Sequence, residues 1–592
     1  MKLSDYVFSF LIKKNVDTVF YLPGGGCMHL LDSLAGVSGG DGVRINSVSL
    51  LHEQAVAVAA ESYANTTGKM GVALVTTGPG ATNTITGVLA AYLDSAPVFF
   101  ISGQVKTADL KSRFGVRTHG SQEADIVTIV SSITKYAAMV TEKNKIRYHL
   151  ERAWYEAMIG RRGPVLLDIP LDIQGAQIDP DTLESFTPPN SDKTPPNVSI
   201  IIDALNDAKR PVLIVGNGVS AHKDDFFALM DILSIPVIPS WKAMDYIAND
   251  NPLYAGRAGG MGDRHGNLTM QNADLILSLG CRLDFSITGF DRSVWAPNAK
   301  KVIVEIDPSE IKKFENAGNI IPIITGAGKV MKEMLRRAKD IHITDITGWK
   351  KQIADWKQKY PLITKEKYKN ISGNLTTYSL IDTLCHNLPN NAFVAPCSSG
   401  TTAEIFFQAF TVKKGQTVRS NHGLGSMGFE IPNSIGMCIA SGNKNTVCIA
   451  GDGGMQLNIQ ELAVISGRKL PIKIFALNNS GYASIRNMQN NHFSGRYKGC
   501  DGDSGLFLPN LKKLSAAYDI PYFCIQTEDD LEVVKEVLKL NTPALCEVFV
   551  EKECLVSPRS ASQVLPDGTM RSSPLENQFP FLSDAEVEKN KL

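Results

Sequence analysis

Along the chain, short apolar runs alternate with longer stretches whose apolar positions recur every three or four residues. A run too short for a helix and bounded by Gly or Pro reads as a buried parallel strand. The periodic stretch after it reads as the helix that crosses back over the sheet. Near the start, Val7, Phe8, Leu11 and Ile12 form one face of an amphipathic helix within residues 1–17, with Lys13 and Lys14 following. Val72–Thr76 then predicts a strand, Gly78-Pro79-Gly80 a turn and Thr82–Leu93 a helix, and Pro97 opens a strand over Val98–Ser102. The same figure returns later. Thr446–Ala450 leads into Gly451-Asp452-Gly453, a helix over Ile459–Ser466 follows, and Pro471 opens Ile472–Leu477. From first Gly to Pro the interval is 19 residues in one unit and 20 in the other. The class is α/β, with three doubly wound parallel-sheet domains. The likeness of the two units is either chance between βαβ units or the mark of two related domains that hold a ligand between their strand ends.

Composition breaks set the boundaries. Residues 179–197 carry Pro180, Pro188, Pro189, Pro195 and Pro196 among polar residues and read as an exposed linker. The Lys-rich stretch 332–369 reads as a helix and loop crossing between domains. The expected domains are therefore 1–178, 198–335 and 370–555. Residues 556–592 are uneven in composition and form an arm or lid, the alternative being a disordered terminus.

The 592 residues balance 60 Lys plus Arg against 60 Asp plus Glu. That zero net charge argues against a nucleic-acid binder held by phosphate contacts. No run approaches the ~18 apolar residues of a membrane helix, and no basic region precedes an apolar run as in a signal peptide. Ten cysteines are scattered without a CxxC pair or His/Cys metal spacing, so free buried thiols in a cytoplasmic protein are expected.

Candidate chemistry concentrates on glycine turns. Gly451-Asp452-Gly453 follows a strand and precedes a helix, so its amides face an anion at a helix start. Asn478-Asn479 closes the next strand, with 24 residues between the two motifs. Asp452, the Asn479 amide oxygen and the Gly481 carbonyl offer three hard oxygens to one Mg2+. Either piece alone reads as a tight turn; the pair in strand–helix–strand context is specific.

This pairing resembles the cofactor motif of thiamine-diphosphate (ThDP)-dependent enzymes, and further motifs extend the resemblance over nearly the whole chain. Leu51-His52-Glu53-Gln54 is similar to the segment bearing the family's catalytic glutamate. Residues 77–83 (TGPGATN), 160–170 (GRRGPVLLDIP) and 423–428 (GLGSMG) are similar to acetolactate synthase signatures. The resemblance implies pyrimidine-binding, central nucleotide-type and diphosphate-binding domains. It implies ThDP and Mg2+, the metal held by Asp452, Asn479 and Gly481. Glu53 then works on the aminopyrimidine ring, Met427 holds the cofactor bent, and Gly26 and Gln122 face the reacting centre. The remaining expected cofactor contacts are Gly25, Thr77, Gly78, Asn83, Ser399, Gly425, Gly451, Gly453, Gly454 and Tyr482. In the central domain, Gly216, Gly218, Gly280, Arg282, Asp284 and Asp307 match an FAD site, against the alternative of an empty domain.

The resemblance breaks on the acceptor side. Met488 and Ser121 stand where acetolactate synthases carry Trp and Phe, which implies a roomier, more polar acceptor pocket. The 481–486 (GYASIR) and 262–267 (GDRHGN) runs are more similar to a sister group that transfers the acetyl unit to a nucleotide-linked keto-sugar, as in yersiniose-type synthesis. The expected activity is decarboxylation of pyruvate with transfer of the two-carbon unit to a second carbonyl, in a homodimer or homotetramer. Alternatives are the keto-sugar acceptor, a ThDP/FAD 2-keto acid oxidase and a catalytically silent homologue.

Overall fold

The computed structural model describes residues 1–39, 44–190, 194–368, 375–553, 555–564 and 567–592. The first sheet contains β1 (Thr18–Tyr21), β2 (Asn46–Ser49), β3 (Gly71–Val75), β4 (Val98–Gln104), β5 (Tyr136–Met139) and β6 (Val165–Pro170) in the order β2-β1-β3-β4-β6-β5. The central sheet contains β7 (Pro211–Val215), β8 (Val237–Pro239), β9 (Leu275–Leu279), β10 (Lys300–Glu305) and β11 (Ile320–Ile324), ordered β11-β10-β9-β7-β8. The third contains β12 (Phe393–Pro396), β13 (Thr417–Val418), β14 (Thr446–Gly451), β15 (Ile472–Asn478), β16 (Tyr522–Ile525) and β17 (Ala544–Phe549), ordered β13-β12-β14-β15-β17-β16. Pairing within all three is parallel. Counted from the first strand of each, the outer sheets have the same order, so the two similar sequence units are equivalent parts of two like domains.

The expected elements are present with shifted edges. The first helix spans Leu3–Lys13. The helix expected at 82–93 is split into Pro79–Thr82 and Ile85–Leu93. The one expected at 459–466 is a 3-10 turn, Gly454–Glu461, running into Leu462–Gly467. The cause of the second difference is Asn458, whose φ of −137° breaks the helical path and whose Nδ2 donates to Gly428 O at 2.8 Å.

Helix Glu53–Thr67 follows β2 and helix Glu430–Ala440 follows β13, the same station in each outer domain. They pack against each other through small residues. A Cβ on Gly436 would fall 2.3 Å from Ala59 O, and the Ser62 hydroxyl donates to Asn433 O at 2.7 Å. Around them runs one apolar core shared by both domains, including Ala57, Ala60, Ile431, Ile435 and Cys448.

The central sheet has its own core, which Trp349, Ile353 and Trp356 of helix Thr347–Lys359 complete together with Leu575. The Lys-rich stretch read as a crossing thus packs part of its length on the central domain. So does the segment after residue 556. It contains the antiparallel pair β18 (Ser562–Val564) and β19 (Met570–Ser572) and the helix Asp584–Lys589. Gln578 Nε2 donates to Gly262 O at 3.0 Å, and Asn590 Oδ1 accepts from Trp356 Nε1 at 3.0 Å. Nine cysteines are free thiols, all buried except half-buried Cys524; Cys554 lies outside the described residues. Among the described residues, no helix is long and apolar enough to cross a membrane.

Candidate active site

In each outer sheet the strand order reverses between the first strand and the third, and open α/β sheets bind ligands at the carboxyl ends beside such a reversal. In the first domain that place is framed by residues 24–26 after β1 and 76–80 after β3. Contacts there are too close for side chains. A Cβ on Gly24 would lie 2.5 Å from Thr76 Cβ, and one on Gly26 would lie 2.7 Å from Thr77 Cγ2. Gly25 faces open space. Gly78, with φ of +63°, leaves room for Gln122 O, 2.1 Å from where its Cβ would be. Gln122 itself holds φ of +61° and exposes its side chain.

Glu53 opens its helix and is 9% exposed. Its Oε2 accepts from Asn83 Nδ2 at 3.0 Å, and Oε1 sits 3.5 Å from the Cβ position of Gly80. The preceding His52 caps the helix, its Nδ1 accepting from Gln54 N–H at 3.1 Å. Glu53, Asn83, Thr77, Gly78 and the backbone of Gln122 are thus gathered at one sheet edge. Gly25 and Gly26 line its other side.

Beneath them runs a buried network that the sequence did not disclose. Asp168 on β6 is fully buried and accepts from Ser102 Oγ at 2.7 Å and Gln104 Nε2 at 2.8 Å. Gln104 Oε1 in turn accepts from the Thr77 hydroxyl at 3.0 Å. Burial pushes the Asp168 carboxyl up to about 7. Glu123 organises the loop above, accepting from the amides of Lys111 at 2.7 Å and His119 at 3.0 Å.

In the third domain the equivalent place lies between Ser398-Ser399 after β12 and residues 451–454 after β14. Asp452 is 3% exposed. Its Oδ1 accepts from Gly453 N–H at 2.8 Å and its Oδ2 from Gly481 N–H at 3.0 Å, while burial pushes the carboxyl up to about 6. Asn479 Oδ1 is buried and has no hydrogen-bond partner. An orphaned amide oxygen beside a buried carboxylate is a costly arrangement unless a cation completes it. This donor set fits Mg2+: hard oxygens, one charge, and positions left for phosphate and water. Gly481 is needed as glycine, with φ of +131° and Cys500 O 2.1 Å from its Cβ position. A Cβ on Gly453 would strike the Tyr482 ring at 2.4 Å.

Arg486, 3% exposed, staples this loop by donating to Ser480 O at 3.0 Å and Lys552 O at 2.8 Å. The Gly-Tyr-Ala-Ser-Ile-Arg run was visible in the sequence, but the role of its arginine was not. Met427 stands between Gly425 and Gly428, at φ of +65° and +75°, and is 40% exposed. Glu461 ties the two outer domains, both of its oxygens accepting from Leu51 N–H at 3.1 and 3.2 Å.

A cavity of about 1620 Å3 opens where the three domains meet. Gly216, Gly218, Gly280, Arg282 and Asp284 line it, as do Arg161, Lys242 and His422 from neighbouring segments. Gly218 N–H donates to Gly280 O at 2.9 Å, a closeness that side chains would prevent. Arg282 pairs with Asp284 at 3.0 Å. Asp307 is not among the lining residues. It caps the helix Pro308–Ile311 through Ser309 N–H at 2.9 Å and lies 3.7 Å from Arg161. His422 packs against both Trp241 and Phe407 in a three-ring cluster, its centroid 3.9 and 4.2 Å from theirs with the rings tilted, and burial pulls it down to about 3.

Comparisons with known proteins agree with this layout. Profiles of the thiamine pyrophosphate enzyme family match residues 1–129 (N-terminal TPP binding domain), 198–334 (central domain) and 398–548 (C-terminal TPP binding domain). The acetolactate synthase large subunit of Corynebacterium glutamicum is 31% identical over 92% of this chain and 86% of its own length. That of Lactococcus lactis is 31% identical over 94% and 93%. Acetolactate synthase isozyme 3 large subunit of Escherichia coli is 32% identical over 87% and 88%.

Proposed function

Because the chain belongs to the thiamine pyrophosphate enzymes, together with the acetolactate synthase large subunits, we propose that it is a ThDP- and Mg2+-dependent carboligase. It decarboxylates pyruvate and joins the two-carbon unit to a second carbonyl. The observation that carries this reading is the presence of both prepared half-sites, anchored Glu53 and the Asp452/orphaned Asn479 pair, in a chain matched along most of its length by acetolactate synthases. The keto-sugar, oxidase and silent-homologue readings gain no support from these relatives.

In this reading Asp452, Asn479 and the Gly481 carbonyl hold the metal, and the turn 451–454, with Ser399, holds the diphosphate. Met427, Gly425 and Tyr482 line the ring side, and Glu53 meets the aminopyrimidine. When bound, ThDP supplies a carbon nucleophile for the keto carbon and a sink for the electron pair left as CO2 departs. The chain does the rest. Glu53 keeps one oxygen on Asn83 Nδ2 and leaves the other to exchange a proton with the pyrimidine ring. Gly25 and Gly26 let the substrate approach backbone, and Gln122 reaches it from the left-handed turn. The acceptor pocket lies near Ser121 and Met488, whose modest size admits a carbonyl compound larger than a keto acid of minimal bulk.

At about 1620 Å3 the three-domain cavity exceeds the roughly 300–1,000 Å3 of ordinary ligand pockets, and its size, glycine turns and Arg282 support FAD, held without a required redox role. Pyruvate is the donor acid. In this reading the first-domain cluster of one subunit completes the third-domain cluster of another, so that a homodimer is the smallest active unit. The buried free thiols support a cytoplasmic location. Supplying the protein with pyruvate, ThDP and Mg2+ is expected to release CO2 and yield acetolactate. No release with any acceptor would refute the carboligase reading.

A further inference from the structure

The shared topology of the outer domains gives each first-domain residue a counterpart in the third. Glu53 begins the helix between β2 and β3, and Glu430 begins the helix between β13 and β14. The correspondence reaches the atoms. Glu53 Oε1 lies 3.5 Å from the Cβ position of Gly80, in the turn after β3; Glu430 Oε1 lies 3.2 Å from that of Gly454, in the turn after β14. Their surroundings then diverge. Glu53 has Asn83 as a donor, whereas Glu430 is 1% exposed and its Oε1 is buried without a hydrogen-bond partner.

A buried carboxyl oxygen without a partner loses its hydration with nothing in return. As an ionised group it would be an uncompensated charge, and among the described residues no Lys, Arg or His acts on it. The titratable groups that face it are the thiols of Cys397, just after β12, and Cys448 on β14, both pushed well up by burial and neutral. Burial moves Glu430 up to about 7, so at neutral pH much of it is the carboxylic acid, with a proton to donate. The turn it touches, 451–454, is the one assigned above to an anion. A neutral acid donating to an anion is a strong, charge-assisted hydrogen bond; the ionised form in the same place repels that anion.

We propose that Glu430 is the diphosphate-side counterpart of Glu53, a carboxylic acid that donates a hydrogen bond to the anionic group seated on the 451–454 turn and that makes cofactor affinity depend on its proton. The proposal rests on the ThDP reading above. Asp452, the metal ligand, plays no part in it.

The test is a ThDP titration at saturating Mg2+, followed by intrinsic fluorescence, on wild type and Glu430→Gln between pH 6 and pH 8.5. The wild-type dissociation constant is expected to rise above about pH 7 with a slope approaching tenfold per pH unit, the signature of one linked proton. Glu430→Gln, which still donates from its amide, is expected to stay nearly flat. Parallel curves for the two proteins would overturn the proposal. Calorimetry of wild type at pH 8 in two buffers of different ionisation heat tests it without any substitution. Proton uptake on binding is expected, and its absence would overturn the proposal. Failure of wild type to bind ThDP at pH 6 would instead sink the ThDP reading.

Discussion

At the scale of single residues, the proposed site divides into side chains assigned to touch ligand and side chains that hold those in place. Glu53 is assigned to the first kind. Glu53→Gln keeps an acceptor for Asn83 but removes the exchangeable proton, so ThDP binding is expected to persist while turnover falls at least about 100-fold. Steady-state CO2 release and a cofactor titration on the same preparation check this. Arg486 belongs to the second kind. Arg486→Met removes the donors to Ser480 O and Lys552 O and is expected to raise the Mg2+ concentration needed for half-maximal activity by about tenfold or more, as losses behind metal ligands do. The residues proposed to touch ligand could be picked out in the sequence because they sit in contiguous motifs, and the structure brings Asn83 to Glu53 and Gly481 to Asp452. Asp168, Gln104 and Glu461 could not. Asp168 reaches Gln104 across adjacent strands and Glu461 reaches Leu51 across domains, and such partners follow from folding rather than from spacing.

Among elements, the glycine turns and the repeated strand–helix–strand figure were legible because local backbone chemistry dictates them. The boundaries were less so. The break at Asn458 depends on Gly428 O, far away in sequence, and no local signal announces it. The pairing of helices Glu53–Thr67 and Glu430–Ala440 also escaped the sequence, since an Ala-rich face reads equally well as packed on its own sheet. Their contact is intimate enough to test. Gly436→Ala places a methyl 2.3 Å from Ala59 O, where backbone cannot yield cheaply. A loss of about 1–3 kcal/mol is expected, read as a lower midpoint in denaturant with an unchanged slope. An unchanged midpoint would mean that the helices separate more easily than the geometry implies.

For the molecule as a whole, buried carboxyls set the response to pH. Desolvation raises Asp168, Glu430 and Glu461 to about 7 and Glu61 to about 8. The native state therefore binds more protons than the unfolded chain between the ordinary carboxylate range and these values, so this stabilisation fades as pH rises through them. His422, pulled down to about 3, opposes the trend only below its unfolded value near pH 6.5, and Lys473, lowered to about 8, only above pH 8. Between pH 6.5 and 8 the cofactor-free protein is thus expected to lose thermal stability, a decline that a series of calorimetric scans would detect. The three-domain plan was legible from composition breaks. The fate of residues 556–592 was not, because their anchors, Leu575, Gln578 and Asn590, carry no pattern until the surface they meet is known.

Those anchors also impose an order in time. The central sheet ends at Ile324, yet Leu575 fills its core and Asn590 satisfies the indole of Trp356. As the polypeptide leaves the ribosome, the first domain has all six strands of its sheet by residue 170. The middle one waits with an unfinished interior until the whole third domain has been translated. Its closure is therefore a late event in synthesis, and chains cut short before residue 575 are expected to leave uncovered the part of the central core on which Leu575 packs.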